Sequence, residues 1–266
     1  MFPDLIDLNF IHIRTYGVCM AIGFLLCWHI FERISGRKDL SNLLFAMLIS
    51  GIVGSRIAYV IEHWSTEFAK SPLRIIRVDQ GGLMFYGGLI LALAVFLIWC
   101  ICRKENPLKI GDNLACVIPL GHAFGRIGCF FYGCCYGKRS DSCLAVSFPR
   151  DSPAWYEQFR AGEIAYGASK ALPVLPSQLF EAFALGLFFI VLLYLRSRTK
   201  DKAAGIITGA YLAGYAIIRF ALEYVRGDPR AAVGFLSISQ TISLIMFVVG
   251  AAVVTFALRR SSVNGR

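Results

Sequence analysis

The feature that most constrains this chain of 266 residues is the recurrence of apolar runs about 20 residues long. A helix of that length just crosses the hydrocarbon core of a bilayer, because each residue advances the helix by about 1.5 Å. Six runs fit this template, centred on Gly23, Ile52, Leu93, Leu187, Leu212 and Phe247. A seventh, residues 112–131, carries Pro119, Gly121, His122, Gly125 and Arg126. Such a segment is tolerated at membrane depth only where neighbouring helices re-satisfy its backbone, so it is expected inside the bundle. The prediction is an all-α, polytopic membrane protein with seven transmembrane helices, forming a single transmembrane domain over 1–266. Composition agrees, since 57% hydrophobic against 17% charged residues lies outside the balance of a water-soluble domain.

Net charge is +10 at pH 7, and its placement orients the chain. Dense basic clusters follow the odd-numbered spans: Arg33, Arg37 and Lys38; Arg103, Lys104 and Lys109; Arg196, Arg198, Lys200 and Lys202; and Arg259, Arg260 and Arg266 in the tail. The opposite side carries Arg14, Lys70, Arg74, Arg77, Arg226 and Arg230, with further basic residues thinly spread through one long connection. The positive-inside rule then predicts an extracytoplasmic N-terminus and a cytoplasmic C-terminus. Residues 138–173, polar with interspersed aromatics, are expected to form an extracytoplasmic loop or small head. The N-terminus has no basic segment leading to a cleavage site, so the first apolar run is expected to remain. No basic helix or stacking motif calls for nucleic acid.

Ionisable residues at membrane depth ask for partners. Arg126 follows His122 by four residues, which places both on one helical face. Arg219, Glu223 and Arg226 share a face in the same way. One account is an internal ion pair between Arg219 and Glu223 that locks helices together. The other is that Arg126 and Arg219 converge on an anion entering from the lipid, and the planar guanidinium suits a phosphate because it grips with two hydrogen bonds and cannot lose its charge. Two glycine pairs flank Tyr86 in "DQGGLMFYGGLI", which permits close backbone approach to a ligand or ordinary helix packing. Tyr16, at the start of the first span, suits the interfacial aromatic belt.

Nine cysteines lie mostly within apolar stretches, where a thiol behaves as a small hydrophobe. The exception is "GRIGCFFYGCCYG", residues 125–137, with Cys129, Cys134 and Cys135. Three readings stand side by side: packed thiols, a disulfide such as Cys134 with Cys143, or a thiolate nucleophile. A metal is the poorest fit, because three cysteines cannot close a four-ligand zinc site and neighbouring cysteines rarely ligate together. Neither a metal nor a cofactor is expected.

Taken in order, these motifs resemble the prolipoprotein diacylglyceryl transferases of bacterial inner membranes. The family's R-x-Y-G resembles residues 14–17, its G-G-R-I-x-Y residues 54–59, and its G-G-x-x-F-H-G-G residues 81–88. The signature G-R-x-G-N-F-x-N-x-E-x-x-G is similar to residues 125–137, H-P-x-Q-L-Y-E to residues 175–181, and Y-x-x-x-R-F-x-x-E-x-x-R to residues 215–226.

The resemblance implies seven spans and transfer of the diacylglyceryl group of phosphatidylglycerol to the lipobox cysteine of a preprolipoprotein, with release of glycerol phosphate. It implies that Arg126 and Arg219 hold the lipid phosphate, that Tyr16 lines the same site, and that Glu223 and Gly137 support it. Cys129 and Cys134 stand where the signature has Asn and Glu, and so are expected to line the headgroup pocket. Tyr86 stands where the family has the histidine proposed as the base. A tyrosine of ordinary pKa near 10 is a poor base at neutral pH, which leaves Tyr86, His122, or transfer driven by positioning and phosphate stabilisation. These departures resemble a recognisable branch of the family. The rival readings are a transferase of the same fold with another acceptor, a membrane thiol redox protein, and a transporter. Transport is disfavoured by the lack of a duplicated half with paired broken helices.

Overall fold

The computed structural model describes residues 4–8, 11–69, 71–77, 81–199, 203–228 and 232–264. Of the basic residues used above for orientation, Lys70, Lys200, Lys202, Arg230 and Arg266 lie outside the described residues. Seven helices are long and apolar enough to cross a membrane. They are α1 (Thr15–Ser35), α2 (Lys38–Glu62), α3 (Phe85–Arg103), α4 (Pro107–Tyr132), α6 (Ser177–Thr199), α7 (Ile206–Glu223) and α8 (Ile238–Asn264), with a short α5 (Pro153–Arg160) between the fourth and fifth spans. Among the described residues, sheet is confined to two small antiparallel hairpins, β1 (Asp4–Leu8) with β2 (Ile11–Arg14) and β3 (Ala232–Val233) with β4 (Leu236–Ser237). The expected all-α membrane fold with seven spans is what forms.

Large side chains such as Ile61, Ile90, Phe183 and Val248 point outward from the helices, the pattern of a bundle solvated by lipid. The segment that looked least membrane-like in sequence is the most buried of the spans. Within its apolar window 39% of α4 is buried, against 17% for α1, α2, α3 and α8. Pro119 sits inside α4 without ending it.

The described chain divides into two compact units, residues 1–30 with 111–266, and residues 31–110. The smaller unit is built on the α2–α3 pair, where backbones approach closely. A Cβ on Gly54 would lie 2.5 Å from the Gly87 carbonyl oxygen, and one on Gly88 would lie 2.6 Å from that of Gly51. Small residues are what allow helices to meet in lipid, where no hydrophobic drive pushes them together.

The larger unit holds the remaining spans. Gly209 and Gly250 bring α7 and α8 together in the same manner, a Cβ on Gly209 meeting the Gly250 carbonyl oxygen at 2.7 Å. Asp112 of α4 caps the start of α7, accepting from the backbone N–H of Gly205 and Thr208 (both 2.8 Å) and from Thr208 Oγ1 (2.7 Å). The orphan amides of a helix N-terminus and its positive end are satisfied in one step. Ala123, Ala182 and Leu185, with Ile127 and Tyr215 against them, knit α4, α6 and α7. After α4 the chain leaves the helical layer and wraps α5 around a core of Tyr136, Phe148, Ala154, Trp155, Ala171 and Val174. Ser152 caps α5 by accepting from the Trp155 N–H, and Trp155 Nε1 donates to the Ala168 carbonyl (2.9 Å).

Candidate active site

At one end of the larger unit, the C-terminal ends of α4 and α7 meet the N-terminal end of α6. The chain crosses there three times. Gly137 N–H donates to Leu175 O (2.8 Å), Lys138 N–H to Val225 O (2.8 Å), and Gly227 N–H to Tyr136 O (3.1 Å). Gly137 is required by space, since a Cβ would lie 2.6 Å from Leu175 O and 3.0 Å from Val225 O. Its role is to let three strands of backbone cross beneath the polar side chains.

Those side chains form one connected set. Arg126 Nε, in α4, donates to His122 Nε2 (3.2 Å) one turn earlier and lies 3.0 Å from Glu181 Oε1 of α6. Glu181 is 1% exposed and also faces His122 Nε2 at 3.6 Å and Arg226 Nη1 at 3.8 Å. Arg226 spends the rest of its fork on Asp228, in two bonds of 2.9 Å. One buried carboxylate thus faces two guanidiniums, and Asp228 supplies the second negative charge that balances them.

Tyr215 of α7 connects this group to Arg219. Its ring lies 5.3 Å from that of His122, its hydroxyl is within hydrogen-bonding reach of Arg126, and Arg219 is close enough to act on it electrostatically. Arg219 is buried, donates through Nη2 to Ser239 Oγ of α8 (2.8 Å), and pairs through the same nitrogen with Glu223 Oε2 (2.8 Å). Its other terminal nitrogen, Nη1, is buried and has no hydrogen-bond partner among the described residues. A buried unpaired donor costs about 1–3 kcal/mol unless a ligand accepts from it. Tyr16 joins from α1, with its ring stacked over Gly128 so closely that a Cβ there would lie 2.8 Å from Tyr16 Cδ2. Arg126 and the thiols of Cys129, Cys134 and Cys135 all lie within electrostatic range of its hydroxyl.

The cysteine turn sits on the same floor. Gly133 (φ 83°) and Cys135 (φ 62°) are both left-handed, so the chain reverses immediately after α4. Two α6 side chains grip the reversed backbone, Gln178 Nε2 donating to Cys134 O (2.7 Å) and Ser177 Oγ to Cys135 O (2.8 Å). The nine cysteines are free, and Cys143 is exposed. Hydrogen bonds from the Cys129 and Cys134 thiols, helped by Arg226, hold the Cys135 thiol below the usual thiol range, while sharing with those same neighbours pushes Cys134 up. Tyr136 turns away into the core around α5, and burial pushes its hydroxyl up to about 12.

A family model described as prolipoprotein diacylglyceryl transferase matches residues 3–256 of this chain. The chain belongs to that family. It is similar to the phosphatidylglycerol–prolipoprotein diacylglyceryl transferase of Pseudoalteromonas translucida (strain TAC 125), with 32% identity over 98% of this chain and 94% of the relative. Against the enzyme numbered 2 of that name in Clostridium perfringens (strain 13 / Type A), identity is 33% over 90% of this chain and 88% of the relative. The corresponding enzyme of Vibrio atlanticus (strain LGP32) is 31% identical over 97% of this chain and 91% of its own length. Seven membrane-spanning helices and bacterial relatives of this kind make the chain a multi-pass protein of the bacterial inner membrane.

Of the residues singled out in the sequence, His122, Arg126, Arg219, Glu223, Tyr16, Gly137, Cys129 and Cys134 are gathered in the larger unit. Tyr86 belongs to the smaller one, in the first turn of α3, largely exposed with its ring edge-on to Phe85. Sequence reasoning missed Glu181 and gave Arg226 no role of its own. The signal for Glu181 was present, because an acid one turn into an apolar span is by default a functional residue with a partner to be named.

Proposed function

We infer that the chain transfers the diacylglyceryl group of phosphatidylglycerol to the cysteine thiol of a prolipoprotein. The thiol sulfur attacks the glyceryl carbon that bears the phosphate, the carbon–oxygen bond breaks, and glycerol phosphate leaves as a thioether forms. The observation that carries this reading is that Arg126 and Arg219 both act on Tyr215, with Arg219 Nη1 buried and without a hydrogen-bond partner among the described residues. Charge builds on the phosphate as the carbon–oxygen bond breaks, and two fixed guanidiniums stabilise it without reorganising. The family relationship and the names of the relatives support the same reading.

Arg126 and Arg219 hold the phosphate in this reading, and Tyr16 and Tyr215 hydroxyls sit beside it. Glu223 fixes Arg219 and Glu181 fixes Arg126. His122 offers Nε2 to Arg126, which suits orientation of that guanidinium better than proton abstraction, because the lone pair a base would use is already engaged. Tyr86, at the family's histidine position, lies in the smaller unit, and only the resemblance assigns it to the thiol proton. The distribution of basic residues supports a site on the extracytoplasmic side, where a secreted precursor presents its cysteine.

The test is incubation of the purified protein with phosphatidylglycerol and a lipobox peptide, followed by mass measurement of the peptide. A gain of one diacylglyceryl unit is expected. An unmodified peptide alongside consumed lipid points to a different acceptor, and an adduct on Cys129, Cys134 or Cys135 of the protein itself replaces direct transfer by a covalent intermediate.

A further inference from the structure

The sulfur atoms of Cys129, Cys134 and Cys135 all lie within 4.8 Å of one another. Neighbours in sequence seldom point the same way, and the backbone here explains why two do. Cys135 is left-handed at φ 62°, which swings its side chain back toward Cys134 and the end of α4. The Gln178 and Ser177 bonds to the Cys134 and Cys135 carbonyls hold that turn from outside, so the convergence does not depend on anything bound. Three thiols cannot close a tetrahedral zinc site. They do form the complete ligand set of a trigonal site. With metal–sulfur bonds of about 2.3 Å, trigonal geometry spaces the sulfurs about 4.0 Å apart, a spacing that lies within the observed limit of 4.8 Å.

A second observation bears on charge. Three thiolates around a monovalent ion leave a net charge of −2, which a membrane-depth site cannot carry alone. The Arg226 and Arg126 guanidiniums lie within electrostatic range of Cys135, and Arg126 also of Cys129. Two guanidiniums, each also paired with a carboxylate, therefore flank the sulfur triangle and soften its charge without cancelling it. Soft thiolates select soft ions, and among biological metals of low coordination number that means Cu(I).

We propose that Cys129, Cys134 and Cys135 form a trigonal three-thiolate site for a soft, thiophilic monovalent ion of the Cu(I) class, with the Arg126 and Arg226 guanidiniums beside it. The site stands independently of the transferase reading, because its ligands are set by the turn after α4 and by α6. An ion held there faces the same Arg126 that serves the phosphate, so its occupancy opposes the binding of anionic lipid.

Reduced, detergent-solubilised protein titrated anaerobically with Cu(I) against a chromogenic chelator is expected to withdraw one ion per chain, with three sulfur neighbours at about 2.3 Å by X-ray absorption. The exposed Cys102 and Cys143 are first changed to Ser so that they do not contribute. Loss of one ligand, in Cys129→Ser, Cys134→Ser or Cys135→Ser, should weaken binding by at least about 100-fold, since outer-shell changes alone cost 10–100-fold. A measurement on the unaltered chain guards against misfolded variants: Cu(I) alone should protect Cys129, Cys134 and Cys135 from iodoacetamide while Cys102 and Cys143 still react. No ion withdrawn, a two-sulfur environment, or alkylation of the three cysteines unaffected by Cu(I) would each overturn the site.

Discussion

Arg56 of the smaller unit, half-buried, and Arg219 of the larger one, buried, are both arginines in apolar helices, and they spend their donors in opposite ways. Arg56 uses all five N–H groups on backbone carbonyls. Nε donates to Ile75 O (2.9 Å), Nη1 to Gly81 O and Gly82 O (2.9 and 3.0 Å), and Nη2 to Arg74 O and Arg77 O (2.6 and 3.0 Å). Its position is fixed tightly enough that a Cβ on Gly82 would lie 2.5 Å from Nη1. Arg219 gives one nitrogen to Ser239 and Glu223 and leaves the other buried and unspent. A guanidinium with every donor returned to the backbone organises a loop. One that withholds a donor in a buried setting is prepared for a ligand.

The largest effect that tests this contrast is on transfer. Arg126→Lys and Arg219→Lys keep a positive charge but lose the planar fork, so each is expected to cut phosphatidylglycerol-dependent transfer by about 100-fold or more while leaving thermal unfolding nearly unchanged. The loss corresponds to about 3 kcal/mol, the scale of one charge-assisted hydrogen bond made in the transition state. Full activity in both variants would remove the phosphate role. Next comes Arg56→Lys, where the expectation is inverted. Three ammonium protons cannot serve five carbonyls, and stranded carbonyls cost about 1–3 kcal/mol. Unfolding in detergent should therefore shift down by several degrees. An unshifted Tm would show that residues 71–77 and 81–82 keep their places without Arg56 and would break the comparison from the other side.

How much of this was legible beforehand depended on range. The seven spans could be read because length and apolarity are local properties, and α4 could be placed inside the bundle because Pro119, His122 and Arg126 need partners wherever they lie. The Arg219–Glu223 pair was readable from its spacing of four residues. Glu181 was not assigned, because its meaning comes from facing His122, Arg126 and Arg226, residues on α4 and beyond α7 that spacing cannot bring together. Convergence of Cys134 with Cys135 was hidden for a different reason. It rests on a left-handed backbone at a residue other than glycine, which composition does not announce. The five-carbonyl grip of Arg56 was equally silent, being written in the path of a loop.

The smallest effect separates two uses of one carboxylate. Glu223 reaches Arg219 across a single turn at 2.8 Å, through the nitrogen that also serves Ser239, and so holds the guanidinium plane with Nη1 turned to the unspent side. A glutamine in its place keeps the size and one acceptor oxygen but removes the charge, which weakens the pairing without releasing Arg219 altogether. Glu223→Gln is therefore expected to lower transfer by about tenfold, near 1.4 kcal/mol, with the loss expressed mainly in KM for the lipid because the phosphate grip is loosened before reaction. Steady-state kinetics with phosphatidylglycerol as the varied substrate separates the outcomes. If Glu223→Gln proves more damaging than Arg219→Lys, and the loss falls on kcat, the carboxylate acts on the reacting groups and Arg219 is its support. The unspent donor would then be a by-product of holding Glu223, and the contrast with Arg56 would have to be drawn between two structural arginines.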